Sequence, residues 1–315
     1  MSTNPDGWRT FVARWYGEGR LAFHDANGTA ESRPWRGGTL HQDVYDRPEA
    51  SAPVVVLLHG IQGYGRMFLS VTEGLWRRGC AVVAPDIPGY GLSASRKNRG
   101  RRAVADQLDG VEAAVRAAAA RWPDRPLVLA GASLGAPLAF ATALKVPEVR
   151  ALTLWTLFSP DDPAVLAATG RFGRFSGATL GVMRPVGRVI PGLPMAAWFI
   201  LALEHLNAAP GFVRSLKDDP LVAKTTNLRA MLSLQRDLPP LLRWEAWDRP
   251  ILVMQPGNDR MIPPAATCRA FTRLTAEPRR LEMLDGVEHF PAEPEPLDRA
   301  AALMAGFLEE VGIKG

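Results

Sequence analysis

Short apolar runs alternate with longer mixed stretches along most of this chain. Val54-Val-Val-Leu-Leu58, Ala81–Ala84, Leu127–Ala130, Arg150–Thr156 and Ile251–Gln255 read as buried strands, and Arg280-Leu-Glu-Met-Leu284 as a further strand. Between them lie helical stretches at Met67–Arg78, Ala103–Trp122 and Ala136–Lys145. The second is alanine-rich and is stopped by Pro123. A hairpin is expected just before Val54, after a strand-poor N-terminal stretch. Strands alternating with helices predict a parallel sheet covered on both faces. From Ser159 to about Trp247 this rhythm breaks. Gly and Pro punctuate the segment, and helix-like blocks stand near Pro194–Leu206 and Thr226–Leu234.

Composition narrows the class. With 315 residues and 47% hydrophobic content, the chain is long enough to bury a large core. Its opening, Met1-Ser-Thr-Asn-Pro-Asp-Gly-Trp8, lacks a basic-then-apolar leader. The longest apolar run, Leu193–Leu203, is shorter than the roughly 20 residues a bilayer span needs. A soluble, cytoplasmic protein is expected. Two cysteines, Cys80 and Cys268, make no disulfide framework. Net charge is +5, concentrated in Arg96-Lys-Asn-Arg-Gly-Arg-Arg102. That cluster reads as a solvated loop and helix start; as a docking patch it would steer an anionic ligand such as a coenzyme A or phosphopantetheine thioester. No aromatic residue interleaves with its cations, so nucleic-acid binding is not expected.

The chemistry concentrates at three strand ends. Leu127–Ala130 runs directly into Gly131-Ala-Ser133-Leu-Gly135 and then into helix-compatible sequence. A serine on so sharp a turn needs small residues two before and two after it, because strand and helix cross there. Asp259 follows Ile251–Gln255 in Pro-Gly-Asn-Asp, and His289 follows Arg280–Leu284 in Asp-Gly-Val-Glu-His. Loops at the carboxyl ends of parallel strands open on one edge, so these three side chains can converge. The glycine-rich turn His59-Gly-Ile-Gln-Gly-Tyr-Gly65 follows Val54–Leu58. It assigns an oxyanion hole to the backbone N–H groups of Ile61 and Leu134, with His59 ordering the turn. Asp86 reads as a turn residue. His24, His41 and His205 show no metal-ligand spacing, and His205 beside Glu204 reads as a surface pair.

The order Ser133, Asp259, His289, with His59-Gly60, Ala84-Pro-Asp-Ile-Pro-Gly-Tyr-Gly-Leu-Ser93 and Gly257-Asn-Asp-Arg-Met-Ile-Pro263, resembles the α/β-hydrolase superfamily over about residues 50–312. His59-Gly-Ile-Gln and Lys217-Asp-Asp-Pro220 resemble, more narrowly, the monoacylglycerol lipases and lysophospholipases. The chain departs from those relatives at Gly63, Ala132 and Ala136, all outside the triad. The resemblance implies an α/β-hydrolase fold: a mostly parallel central sheet, helices on both faces and a helical cap. Residues 1–158 and 248–315 would form the core, and 159–247 the inserted cap. It also implies a serine hydrolase that cleaves carboxylic esters of hydrophobic acyl groups or lipids, without metal or organic cofactor. The run Leu193–Leu203, with Trp198 and Phe199, would line an acyl tunnel, touch a membrane transiently, or form buried cap core.

Three alternatives use the same scaffold: a biosynthetic thioesterase or acyltransferase, a cofactor-free lyase or perhydrolase, and a ligand receptor with little or no turnover. A dehalogenase or epoxide hydrolase would need Asp at position 133, where Ser stands. The aromatics Trp8, Trp15, Tyr16 and Trp35 are expected to pack on the core, the alternative being an extension of the substrate entrance.

Overall fold

Unbroken apolar strands must be covered on both faces, and five of them set the centre of this fold. The computed structural model describes residues 7–95 and 97–314, so the opening residues 1–6 and Arg96 of the basic cluster lie outside the described residues. Helices α1 (Gly7–Tyr16) and α2 (Glu18–Asn27) precede the hairpin β1 (Thr29–Trp35) and β2 (Gly38–Tyr45). The winding part follows as β3 (Val54–Leu58), α3 (Leu69–Trp76), β4 (Ala81–Pro85), α4 (Val104–Arg121), β5 (Leu127–Ala132), α5 (Gly135–Ala143) and β6 (Val149–Trp155). Every residue of β3, β4 and β5 is buried.

The next segment holds α6 (Pro163–Thr169), α7 (Ser176–Val189), β7 (Pro194–Ala196), α8 (Ala197–Ile200), α9 (Phe212–Asp218), β8 (Thr225–Asn227) and α10 (Leu228–Asp237). Here the expected block Pro194–Leu206 is not one helix. It opens as a strand paired antiparallel with β8, turns through four helical residues, and continues as a short 3₁₀ turn at Leu203–His205. The second block begins as β8 and becomes α10, where the Asn227 side chain accepts from the Ala230 N–H at 2.9 Å. The core resumes with β9 (Ile251–Pro256), α11 (Pro264–Thr272), β10 (Arg279–Leu284) and α12 (Pro294–Glu310).

The eight-stranded sheet has the order β1-β2-β4-β3-β5-β6-β9-β10. Only the β1–β2 and β2–β4 pairings are antiparallel; the rest run parallel. This is the α/β-hydrolase fold. The chain steps outward from β3 to β4 and then returns across β3 to β5. That reversal opens a crevice at the carboxyl ends of β3 and β5, where ligands collect in such sheets. It also divides the helices: α4 and α5 pack on one face, α3 and α12 on the other.

The N-terminal aromatics fall into two groups. Trp8, Phe11 and Tyr16 are buried on the α3/α12 face, whereas Trp35 sits on the outer strand between Arg36 and Arg102. Phe11 reaches Phe212 of α9 at 5.7 Å and Phe290 at 6.2 Å, and Phe212 meets Phe290 edge-on at 5.3 Å. The Tyr16 hydroxyl donates to the Pro291 carbonyl at 3.0 Å. Helix α1 therefore braces the loop that carries His289. Tyr16→Phe leaves a buried carbonyl without its donor and should lower stability by about 1–3 kcal/mol. Urea denaturation checks this, and an unchanged midpoint would remove the brace from the account.

Candidate active site

The geometry of the site starts from what cannot fit. Ser133 has φ of 53°, in the left-handed region, at the junction of β5 and α5. A Cβ on Gly131 would stand 2.3 Å from the Gly135 carbonyl oxygen, and one on Gly135 would stand 2.5 Å from the Leu58 carbonyl oxygen. Neither position accepts a side chain without moving backbone. The strained turn holds the Ser133 side chain at the crevice.

The three residues selected from the sequence meet there. His289 Nε2 lies 2.9 Å from Ser133 Oγ, and His289 Nδ1 lies 2.7 Å from Asp259 Oδ2. The other Asp259 oxygen accepts from the Met261 and Ile262 N–H groups at 2.8 and 2.7 Å. Those two donors compensate the buried carboxylate for lost hydration. Trp155, at the end of β6, donates its indole N–H to the His289 carbonyl at 2.9 Å. All three residues thus sit past the carboxyl ends of β5, β9 and β10.

Beside the serine, the turn after β3 presses close. A Cβ on Gly60 would lie 3.2 Å from Ser133 Cβ and 3.7 Å from its Oγ. Among the described residues, neither the Ile61 nor the Leu134 N–H donates to another protein group. His59 lies beneath this turn: its Nδ1 is 2.8 Å from the Gly60 carbonyl and its Nε2 accepts from the Ile87 N–H at 2.9 Å. Burial pushes its imidazole below the ordinary value, with Asp86 opposing. Neutral His59 is the form these two bonds require. Asp86 accepts from the Gly65 and Leu92 N–H groups at 2.7 and 2.6 Å, a turn residue as expected.

The segment between β6 and β9 is tied to this same turn. The Ala223 N–H donates to the Gln62 carbonyl at 3.1 Å, and the Tyr64 hydroxyl donates to Asp219. Arg99 donates to the carbonyls of Gly91 and Leu221 at 2.8 and 2.7 Å. Arg102 lies over Trp35 and pairs with Asp106. Burial raises the Asp219 carboxyl, and its bond from Tyr64 opposes that shift. Tyr64, Asp219 and Arg99 were not singled out as a unit in the sequence, because their contact joins positions up to 155 residues apart. His205 and Glu204 do not pair with each other. His205 bonds the Ala168 carbonyl and Glu204 takes Arg171.

Ser133 and His289 open on a cavity whose walls are mainly apolar. Among the described residues, Lys217 and Lys224 are its charged lining residues and no carboxylate lines it. A second cavity lies against the inserted segment and shares Ile61, Gln62 and Ala197 with the first. Trp198 and Phe199 are 48% and 58% exposed, so the reading of the Leu193–Leu203 run as buried core is wrong for them. Among the described residues no three His, Cys, Asp or Glu side chains gather as a metal site would require, and no helix is long and apolar enough to cross a membrane.

Gly131→Ala drives a methyl into the Gly135 carbonyl and must shift the serine relative to His289. If Ser133 is the reacting residue, a displacement of that kind should cost about a hundredfold in turnover. Ester assays on folded variant protein check it, and wild-type rates would contradict the steric argument.

Comparison with known proteins gives the site its family. Residues 49–293 match the family model described as Serine aminopeptidase, S33. A monoacylglycerol lipase of Mycolicibacterium smegmatis is 27% identical over 252 residues, which cover 78% of this chain and 84% of that protein. Among solved structures, a Paleococcus ferrophilus monoacylglycerol lipase superposes with a TM-score of 0.66 at 21% identity, over 85% of this chain and 99% of that one. A soluble variant of the Saccharomyces cerevisiae monoglyceride lipase, in complex with a substrate analogue, gives 0.74 at 14% identity, over 90% and 96%. The chain belongs to the S33 serine hydrolase family of the α/β-hydrolase superfamily, and is similar within it to monoacylglycerol lipases.

Proposed function

We propose that this protein hydrolyses carboxylic esters of hydrophobic acyl groups through an acyl-enzyme on Ser133. The observation that carries this reading is the continuous line of hydrogen bonds from Asp259 through His289 to Ser133 Oγ, at 2.7 and 2.9 Å, opening on an apolar cavity. His289 Nε2 takes the Ser133 proton as Oγ attacks the ester carbonyl. Asp259 holds the Nδ1–H tautomer and stabilises the imidazolium that forms. The Ile61 and Leu134 N–H groups receive the developing oxyanion, each contributing a few kcal/mol. The C–O bond then breaks, and His289 returns the proton to the leaving alkoxide. Water attacks the acyl-enzyme, losing its proton to His289, and the acid leaves with Ser133 restored.

The family description names aminopeptidases, but such an enzyme must hold a cationic N-terminus. The charged side chains lining this cavity are Lys217 and Lys224. They repel an ammonium group and favour neutral esters and the carboxylate product. The segment 159–247 acts as the cap, since its Ala197, Trp198, Leu206 and Leu216 roof the cavity. Its exposed Phe175, Val182, Val189, Trp198 and Phe199 suit transient contact with a lipid surface.

Initial rates over a graded series of acyl nitrophenyl esters test the reaction. Ser133→Ala should remove measurable turnover, and Asp259→Asn should lower it by about four orders of magnitude. Turnover surviving in Ser133→Ala would sink the assignment, and thioesters outpacing oxygen esters would redirect it to thioesterase chemistry. Sedimentation with phosphatidylcholine vesicles tests the lipid contact. Trp198→Ser with Phe199→Ser should reduce the bound fraction by about tenfold or more; equal binding would exclude those side chains.

A further inference from the structure

The cavity at Ser133 does not stop beneath the cap. Its lining continues into the core on the α3/α12 face of the sheet, through Leu57 of β3, Ala130 of β5 and Thr153 of β6, to Val71, Ala300 and Met304. The register explains how these residues share one wall. Leu57 pairs with Ala130, and Ala130 with Thr153, so three neighbouring strands present side chains at one level. Ala130 lies three residues before Ser133, about 10 Å along a strand. On the opposite wall, Leu297 to Met304 spans about 10 Å of helix. Two independent elements thus give the chamber the same depth.

Small residues keep this space open, and a tight contact nearby shows that the opening is local. A Cβ on Gly74 of α3 would stand 2.5 Å from Ala301 Cβ of α12, so the two helices touch there. At Val71 and Ala300 the same helices line the chamber instead. An apolar chamber leading away from a reactive serine suits an apolar chain.

Resting on the esterase reading, we infer that a medium-length straight acyl chain threads downward between the sheet and α3/α12, while the alcohol portion occupies the second cavity against the cap. The two cavities meet at Ile61 and Gln62, the turn whose Ile61 N–H faces the ester carbonyl in that reading. Acyl length is then set by Ala300 and Met304 in the core, and leaving-group preference by cap residues such as Met183. Each methylene placed in the chamber should raise kcat/KM about fourfold until the chamber is full.

The test is the ratio of kcat/KM for decanoyl over acetyl nitrophenyl ester. Ala300→Leu should lower this ratio about tenfold or more, and Met304→Ala should move the optimum to longer chains. Met183→Trp should change selectivity among alcohol portions without lowering the ratio. An unchanged ratio in Ala300→Leu, or a collapse of the ratio in Met183→Trp alone, overturns the threading. Thermal melts establish folding; where Ala300→Leu fails to fold, Met304→Ala decides, and an unmoved optimum there overturns the inference. If the wild-type protein turns over no ester, the esterase reading fails by itself. Calorimetric binding of decanoate to Ser133→Ala, weakened by Ala300→Leu, then supports the chamber, and binding unaffected by Ala300→Leu overturns it.

Discussion

The crossing of β5 and α5 is the constraint on which the site depends. At Gly131 and Gly135 the backbones approach so closely that a single methyl meets a carbonyl oxygen at 2.3 or 2.5 Å. The crossing forces Ser133 to positive φ and places the Leu134 N–H at the start of α5. It also brings the helix against Leu58 and His59, so the turn after β3 is held within reach of the serine. Strain at one residue is tolerable because the buried sheet around it over-determines the conformation.

Around that crossing, polar groups inside the protein are used to fix loops. His59 holds the Gly60–Ile61 turn to Ile87, Asp86 holds the turns at Gly65 and Leu92, and Asp219 holds Tyr64. Each is buried, and each has hydrogen-bond partners that compensate for lost hydration. The roof and the floor of the site therefore share one framework. Because Ala223 bonds Gln62, the segment over the cavity and the turn beside Ser133 are mechanically joined. The aromatic cluster of Phe11, Phe212 and Phe290 does the same for the His289 loop, linking the N-terminal helix to the residue that must meet the serine.

The central sheet was legible in the sequence because its strands are buried on both faces. Val54–Leu58, Ala81–Ala84 and Leu127–Ala130 fall within observed strands, and the shared crevice of Ser133, Asp259 and His289 follows from where β5, β9 and β10 end. The inserted segment was not legible in the same way. Pro194–Leu206 is apolar enough for a helix, but hydrogen bonding to β8 draws its first residues into a ribbon. Its Trp198 and Phe199 are exposed, because the segment covers a cavity rather than enclosing a core of its own. Local pattern reports burial, and burial there is decided by what lies beneath.

The sequence by itself determined the strand order along the chain, the elbow at Ser133 and the loops that carry Asp259 and His289. Those features depend on short-range chemistry: apolar runs, glycines where no Cβ fits, and turns at strand ends. Only the tertiary structure decided that Tyr16 reaches Pro291, that Arg99 is committed to Leu221, and that the cavity descends between the sheet and α12. These contacts join residues as many as 275 positions apart. No local pattern encodes such a pairing, because it exists only once the packed layers have set the distance between its partners.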